Sequence, residues 1–462
     1  FYIDIGSINR ESKKIEKPQF LEGTDAPSRA RKVINQGDIL VSLTRPNLNA
    51  VSLVPEKYDQ QIASTGFEVI KPLIVESRFI FALSRSRHFI DSISGVVQGA
   101  LYPAAKSSDV QSYKFSLPPL AEQKIIADKL DELLAQVETI RGRLNAIPSI
   151  LESFRQSVLI AATNGTLTEE WREKNECEET KKLVDRNTAK KSGKLRIPKK
   201  SKWNEDIDLV NLPESWSWIE NHKLAIDTNT AICAGPFGTI FKAKDFRESG
   251  VPIIFLRHVK QGGFNQRKPN YMDESIWEEF HQDYSVHGGE LLVTKLGEPP
   301  GESCIYPKDF GISMVTPDVI KMNVDSEVAD TKYLMHFFNS PLSKKMVGDA
   351  AFGATRLRID IPLFKTFPIP LPPRREQSVI VSRVEELFDL ANKVEAQVNE
   401  AQIRVNNLTQ SILSKALKGE LTAKWRLDNP QLISGENEAS ALLERIKGER
   451  ERVEKINKIS RK

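Results

Sequence analysis

Residues 117–172 and 371–426 of this chain repeat one another without a gap, 254 residues apart. The first copy opens LPPLAEQKIIADKLDELLAQ and closes LTEEWR; the second opens LPPRREQSVIVSRVEELFDL and closes LTAKWR. A repeat this long outranks any local signal when the fold is read, so the chain is two halves hung on two equivalent segments.

Each segment carries a seam. Apolar residues fall at Ile126, Leu130, Leu133, Val137, Ile140, Leu144, Ile147, Leu151, Phe154 and Val158. The second copy places Ile380, Val384, Leu387, Ala391, Val394, Val398, Ala401, Val405, Leu408 and Ile412 at the same positions. Steps of four and three residues average 3.5, the period of a left-handed coiled coil. Helices of roughly 60 Å follow at about 1.5 Å per residue, ending at Gly165 and Gly419. Pro148, opposite Gln402 in the repeat, predicts a bend and not a break. Two narrow seams in one chain predict that the helices pack on each other. Antiparallel packing lets the connection between the halves stay short.

The repeat extends beyond the helices. GDILV at 37–41 is matched by GELLV at 289–293, and the run at 49–55 by ESCIYP at 302–307. YLMHFFN at 333–339 answers residues 79–85, and Gly353-Ala354 answers Gly99-Ala100. Short β-branched runs bounded by turn residues make each globular part β-rich, with a helical stretch at 77–95. The predicted class is α+β, with two mixed β-rich domains in pseudo-twofold repeat and two long helices in an antiparallel coiled coil. The predicted boundaries are 1–116, 117–165 (helix), 166–212 (basic linker), 213–370, 371–419 (helix) and 420–462 (charged tail). The second domain has about 40 residues, 212–251, ahead of its IIFLRHV run, whereas the first reaches the equivalent YIDIGSI at residue 2. The first domain is expected to lack its opening strand or two, or to receive them from elsewhere.

Residues 181–202 hold ten Lys or Arg, the composition of a solvated tether or of a contact with nucleic-acid phosphates. The net charge of +4 is too small for a polycation, so local clustering carries the electrostatics. Three scattered cysteines, Cys177, Cys233 and Cys304, predict free thiols in a reducing, cytoplasmic setting. No run of apolar residues is long enough for a membrane span.

The doubled Leu-Pro-Pro…Glu-Gln helix start and Leu-Thr…Trp-Arg close resemble the specificity subunits of type I restriction–modification enzymes, nearest their enteric subgroup. GDILVSL, GGELLVTKLGEPPGES and the tail NPQLISGENEASALLERIKGER are similar to that family too, so the resemblance spans the chain; the shortened first domain departs from it. It implies two target-recognition domains, each reading half of a bipartite, asymmetric double-stranded DNA site. The helices would set the spacer and dock two modification subunits that use S-adenosylmethionine to methylate adenine N6. Restriction subunits using ATP and Mg2+ would complete the complex, and the specificity subunit would itself be non-catalytic.

The residues agree on that last point: the sequence has no phosphate loop, HExxH helix or nucleophile elbow. An adenine methyltransferase would need an Asn/Asp-Pro-Pro-aromatic loop, and the Pro-Pro pairs at 118, 299 and 372 lack it. Base edges are read by Arg, Lys, Asn and Gln, and phosphates by Arg and Lys. The DNA-facing candidates are therefore Arg45, Asn47, Asn49, Gln98 and Lys106 in the first domain. In the second they are Arg257, His258, Lys260, Lys295, Arg356 and Arg358; each candidate reads equally as an ordinary solvated side chain. Glu122, Gln123, Glu376 and Gln377 open the two helices, where they would either offset the helix dipole or dock partners. No metal site is expected. The alternative function is a non-catalytic scaffold with two protein-binding domains on a coiled-coil rod; a stand-alone methyltransferase or nuclease lacks a cofactor-binding half.

Overall fold

A computed structural model describes residues 1–94, 104–199, 203, 211–236, 246–353 and 357–459. The long helices span Leu120–Asn164 and Arg374–Leu417, the first running through Pro148 without interruption. Each ends at a glycine in the left-handed region, Gly165 at φ 88° and Gly419 at φ 75°. A side chain there would be strained, so glycine stops the helix.

The chain forms two compact units: residues 1–146 with 397–462, and residues 147–396. Each unit holds part of both long helices, running antiparallel. In the first, Gln402 Nε2 donates to Asn145 Oδ1 at 3.1 Å and Arg141 Nη2 to Asn406 Oδ1 at 3.5 Å. In the second, Arg155 donates to Asn392 at 2.9 Å, and Arg383 to the Leu167 carbonyl at 2.5 Å. Most seam positions are buried or half-buried, but Ile140 and Leu408 are each 44% exposed. An α-helix of 3.6 residues per turn drifts about 20° per heptad from a strict 3.5 repeat, which carries such residues out of contact.

In the second unit, a four-stranded antiparallel sheet has the order Ser303–Ile305, Leu291–Thr294, Val319–Met322, Ile232–Ala234. The first unit matches three of these with Val51–Leu53, Ile39–Ser42 and Phe67–Ile70. The expected helical stretch at 77–95 forms two helices, Ser77–Ser84 and Arg87–Ser94.

The basic stretch is not a solvated tether where it is described. Thr180–Ala189 is a helix whose Val184 is fully buried beside Leu224, Trp216 and Leu371. Lys191 donates to the carbonyls of Lys223 and Ala225 and pairs with Asp325 at 3.3 Å. Apolar residues spaced through a lysine-rich stretch bury one face while the charges stay wet.

The repeated helix starts are locks. Gln123 Nε2 donates to the Pro118 carbonyl at 2.8 Å, and its Oε1 accepts from Glu76 N at 3.0 Å. Gln377 does the same with the Pro372 carbonyl at 2.9 Å and Asp330 N at 2.7 Å. Glu376 accepts from Thr168 Oγ1 and Arg172 Nη1, both at 2.6 Å, and from Trp216 Nε1 at 2.8 Å. Glu122 accepts from Thr422 Oγ1 at 2.6 Å and Arg426 Nη1 at 2.5 Å. The Leu-Thr…Trp-Arg close of each copy is thus held by the Glu-Gln start of the other. A buried carboxylate requires such a charged partner.

Candidate nucleic-acid interface

In both units one loop leaves the central strand and is pinned the same way. In the first, Thr44 bridges Ala104, and Ala105 N donates to the Leu43 carbonyl at 2.8 Å. In the second, Leu296 bridges Arg358, and Ile359 N donates to the Lys295 carbonyl at 3.1 Å. Equivalent surface loops on equivalent strands, carrying different side chains, are what two readers of different sequences require.

The first loop turns through Arg45 at φ 48° and Asn49 at φ 47°, flanking the short helical turn Pro46–Leu48. Arg45 and Asn47 are exposed, as is Lys106 just past the bridge. Asn49 differs: its Nδ2 donates to the Ser84 carbonyl at 3.1 Å, and its own carbonyl accepts from Lys13 Nζ at 2.6 Å. It shapes the loop, which corrects its placement among base readers. Gln98 lies outside the described residues.

Behind that loop, Arg10, Lys13, Arg85 and Arg141 converge with Glu11 and Glu138 on a hollow of about 380 Å³. Burial, reinforced by Arg85 and Arg10, lowers the Lys13 pKa to about 8. Burial likewise lowers that of Arg85. Four cations against two acids suit a phosphate. None of the four was picked out from the sequence, because NRESKKIEK alternates signs and Arg85 and Arg141 are distant in the chain.

In the second unit, Arg257, Lys260, Leu296, Gly297, Glu298 and Asp318 help line a cleft of about 470 Å³. Arg257 and Lys260 are exposed there. The Arg257 guanidinium sits 4.3 Å from the Phe255 ring centroid and donates to the Lys268 carbonyl at 3.1 Å. Lys295 is half-buried, and burial lowers its pKa against the pull of Asp318. Arg358 is exposed, with its guanidinium 5.1 Å from the Phe352 ring centroid.

His258 corrects a second candidate: it is 3% exposed, accepting from Phe255 N at 3.2 Å through Nδ1. Its imidazole closes a turn and cannot reach a base edge. Arg356 lies outside the described residues. Glu122, Gln123, Glu376 and Gln377 are at most 4% exposed and bonded within their own units, so as docking residues they offer a partner no surface.

A family model described as "Type I restriction modification DNA specificity domain" matches residues 10–149 and 237–401, and so covers both pinned loops. The chain belongs to this family. It is 36% identical over 389 residues to the type I restriction enzyme EcoKI specificity subunit of Escherichia coli strain K12, covering 83% of this chain and 74% of that one. To the EcoDI specificity subunit of Escherichia coli it is 34% identical over 383 residues, covering 83% of this chain and 78% of that one. The crystal structure of the HsdS subunit from Thermoanaerobacter tengcongensis shares its fold, with TM-score 0.55, 23% identity and 90% of both chains covered. A chain from a structural study of type I complex assembly and conformational transition aligns with TM-score 0.61, at 23% identity over 90% of both. No helix among the described residues is long and apolar enough to cross a membrane.

Proposed function

We infer that this chain is the sequence-reading subunit of a type I restriction–modification complex, each of its two β-rich domains recognising one half of a bipartite, asymmetric DNA site. The observation that carries this reading is the doubled loop: one fold position, used twice, with Arg45, Asn47 and Lys106 in one copy and Lys295 and Arg358 in the other. A palindrome would call for identical readers. The long helices would set the spacer, since two half-sites read from one face of the duplex lie roughly 34 Å, or one helical turn, apart.

In this reading the chain carries no chemistry. Two modification subunits would bring S-adenosylmethionine and methylate adenine N6, and restriction subunits would bring the ATP- and Mg2+-dependent activity. Those partners would dock on the exposed faces of the long helices, where Ile150, Leu390 and Ile403 are more than half exposed. Single exposed apolar residues are ordinary, but three on two helices provide anchors for a partner.

The test is selection from a randomised duplex library by the chain assembled with its modification subunits. Enrichment of two short, different sequences at one fixed gap is the expected result. Assembly that is insensitive to salt and enriches nothing would favour the scaffold alternative, because phosphate binding weakens steeply with salt.

A further inference from the structure

Three elements of the first unit bring cations to one point. A turn closed by the bridge from Ile8 to Ile15, and held by Asn9 Oδ1 on the N–H groups of Glu11 and Ser12, carries Arg10 and Lys13. Arg85 follows the helix Ser77–Ser84, and Arg141 stands on the first long helix. All four line the hollow of about 380 Å³ behind the first loop, with Thr409 of the second long helix beside them.

Little in the protein offsets this charge. Arg141 Nη1 meets Glu138 Oε1 at 2.5 Å, but Lys13 Nζ has only the Asn49 carbonyl at 2.6 Å. The Arg85 guanidinium lies 5.2 Å from the Phe81 ring centroid and forms no ion pair among the described residues. Arg85 Nε, Arg141 Nε and Thr409 Oγ1 are buried without a hydrogen-bond partner there. Buried donors left unpaired are costly, and like charges gathered around them add to the cost.

The fold itself does not require these cations. In the repeat, Arg85 is answered by Asn339, which is buried and closes on Ser303 through two hydrogen bonds, at 3.0 and 2.9 Å. Arg141 is answered by Glu395, which pairs with Arg155 at 2.7 Å. The same scaffold is thus built once with a satisfied amide and a carboxylate, and once with two arginines whose donors face a hollow.

We propose that the hollow is a phosphate site peculiar to the first unit, in which Lys13, Arg85 and Arg141 hold a dianionic phosphomonoester and Arg10 faces it from the rim. Four cations against Glu11 and Glu138 leave a surplus of two positive charges. A phosphomonoester carries about −1.5 to −2 at pH 7, whereas each diester of a DNA backbone carries about one negative charge. The inference does not rest on the DNA reading, because a free phosphate can fill the site.

The test is calorimetric titration of the full chain with inorganic phosphate and with dimethyl phosphate, ionic strength being held constant with chloride. Saturable binding of inorganic phosphate is expected, with dimethyl phosphate weaker. Arg85→Asn, which copies the second unit, should weaken it on the order of tenfold, through loss of a charge-assisted hydrogen bond. Arg10→Gln, at the exposed rim, should weaken it as well, and keeps the test available if Arg85→Asn does not fold. If the phosphate belongs instead to a DNA backbone, inorganic phosphate binds without saturating, yet each substitution lowers the slope of log duplex affinity against log salt by about 1. That outcome keeps the site and changes its source. Binding indifferent to both substitutions marks an adventitious ion only and overturns the proposal, as does the absence of both effects. Should the chain read no DNA, the inorganic phosphate titration is unaffected, so the two readings fail separately.

Discussion

Arg45 and Lys106 differ in what they could contribute, although both are exposed beside the same bridge. Arg45 is exposed where the loop turns at φ 48°, and it is the one of the pair we propose as a base reader. Arg45→Ala should lower affinity by about 1–3 kcal/mol and relax one half-site only, read as altered enrichment at those positions. Lys106→Ala should weaken all sequences alike and reduce the slope of log affinity against log salt by about 1. Lys13 titrates at about 8 in the folded chain against an ordinary 10.5. The unfolded chain therefore binds more protons between those values, and this group's contribution to stability rises as pH climbs from 8 to 10.5. If the hollow takes a phosphate, affinity should fall as pH passes 8, and Lys13→Arg should remove that inflection. His336 works in the opposite range: burial lowers its pKa from 6.5 to about 4. Its contribution is fully present above pH 6.5 and is lost as pH falls toward 4, about 3 kcal/mol in order of magnitude. Acid melts of the chain and of His336→Phe should diverge across that window.

Among the elements, the helix starts separate what the sequence discloses from what it hides. Periodicity and terminal glycines placed both long helices within a few residues, because those signals are local and redundant. The same Glu-Gln pairs seemed free to meet a partner, because nothing local says that Thr168 and Arg172 return to Glu376. The lysine-rich stretch misled for a related reason: Val184 and Leu195 are few, yet they suffice to seat a short helix when Leu224 and Trp216 wait for them. The pinned loops were legible through the repeat, whereas the burial of His258 was not, since a turn-closing imidazole and a surface one have the same neighbours in sequence. The locks are also unequal. Glu376 is fully buried against Arg172 and Trp216, while Arg426 on Glu122 is 34% exposed and, among the described residues, no indole joins it. Glu376→Gln should cost about 3 kcal/mol in denaturant unfolding, and Glu122→Gln clearly less. Equal losses would contradict the importance of the indole.

For the whole molecule, the reading predicts that geometry and sequence preference separate. Removing one heptad from each long helix at repeat-equivalent positions shortens each by about 10 Å, or roughly three base pairs at about 3.4 Å each. The selected gap should shrink by that amount while both half-site sequences persist. A change in the half-sites themselves would mean that the helices help read bases.

The unit made of residues 147–396 is continuous in the chain, whereas the other joins residues 1–146 to 397–462. A ribosome therefore finishes every part of the continuous unit before it has made Thr422 and Arg426. The N-terminal portion emerges first but must wait for the last part of the chain before its Glu122 is paired. Closing so long a loop is slow relative to local folding, and domains ordinarily fold in the order they are made. Here that order is expected to invert for the helix packing: the middle of the chain can mature first, whereas the core around Ile126 and Leu130 gains Ile412, Leu413 and Ala416 only at the end of synthesis.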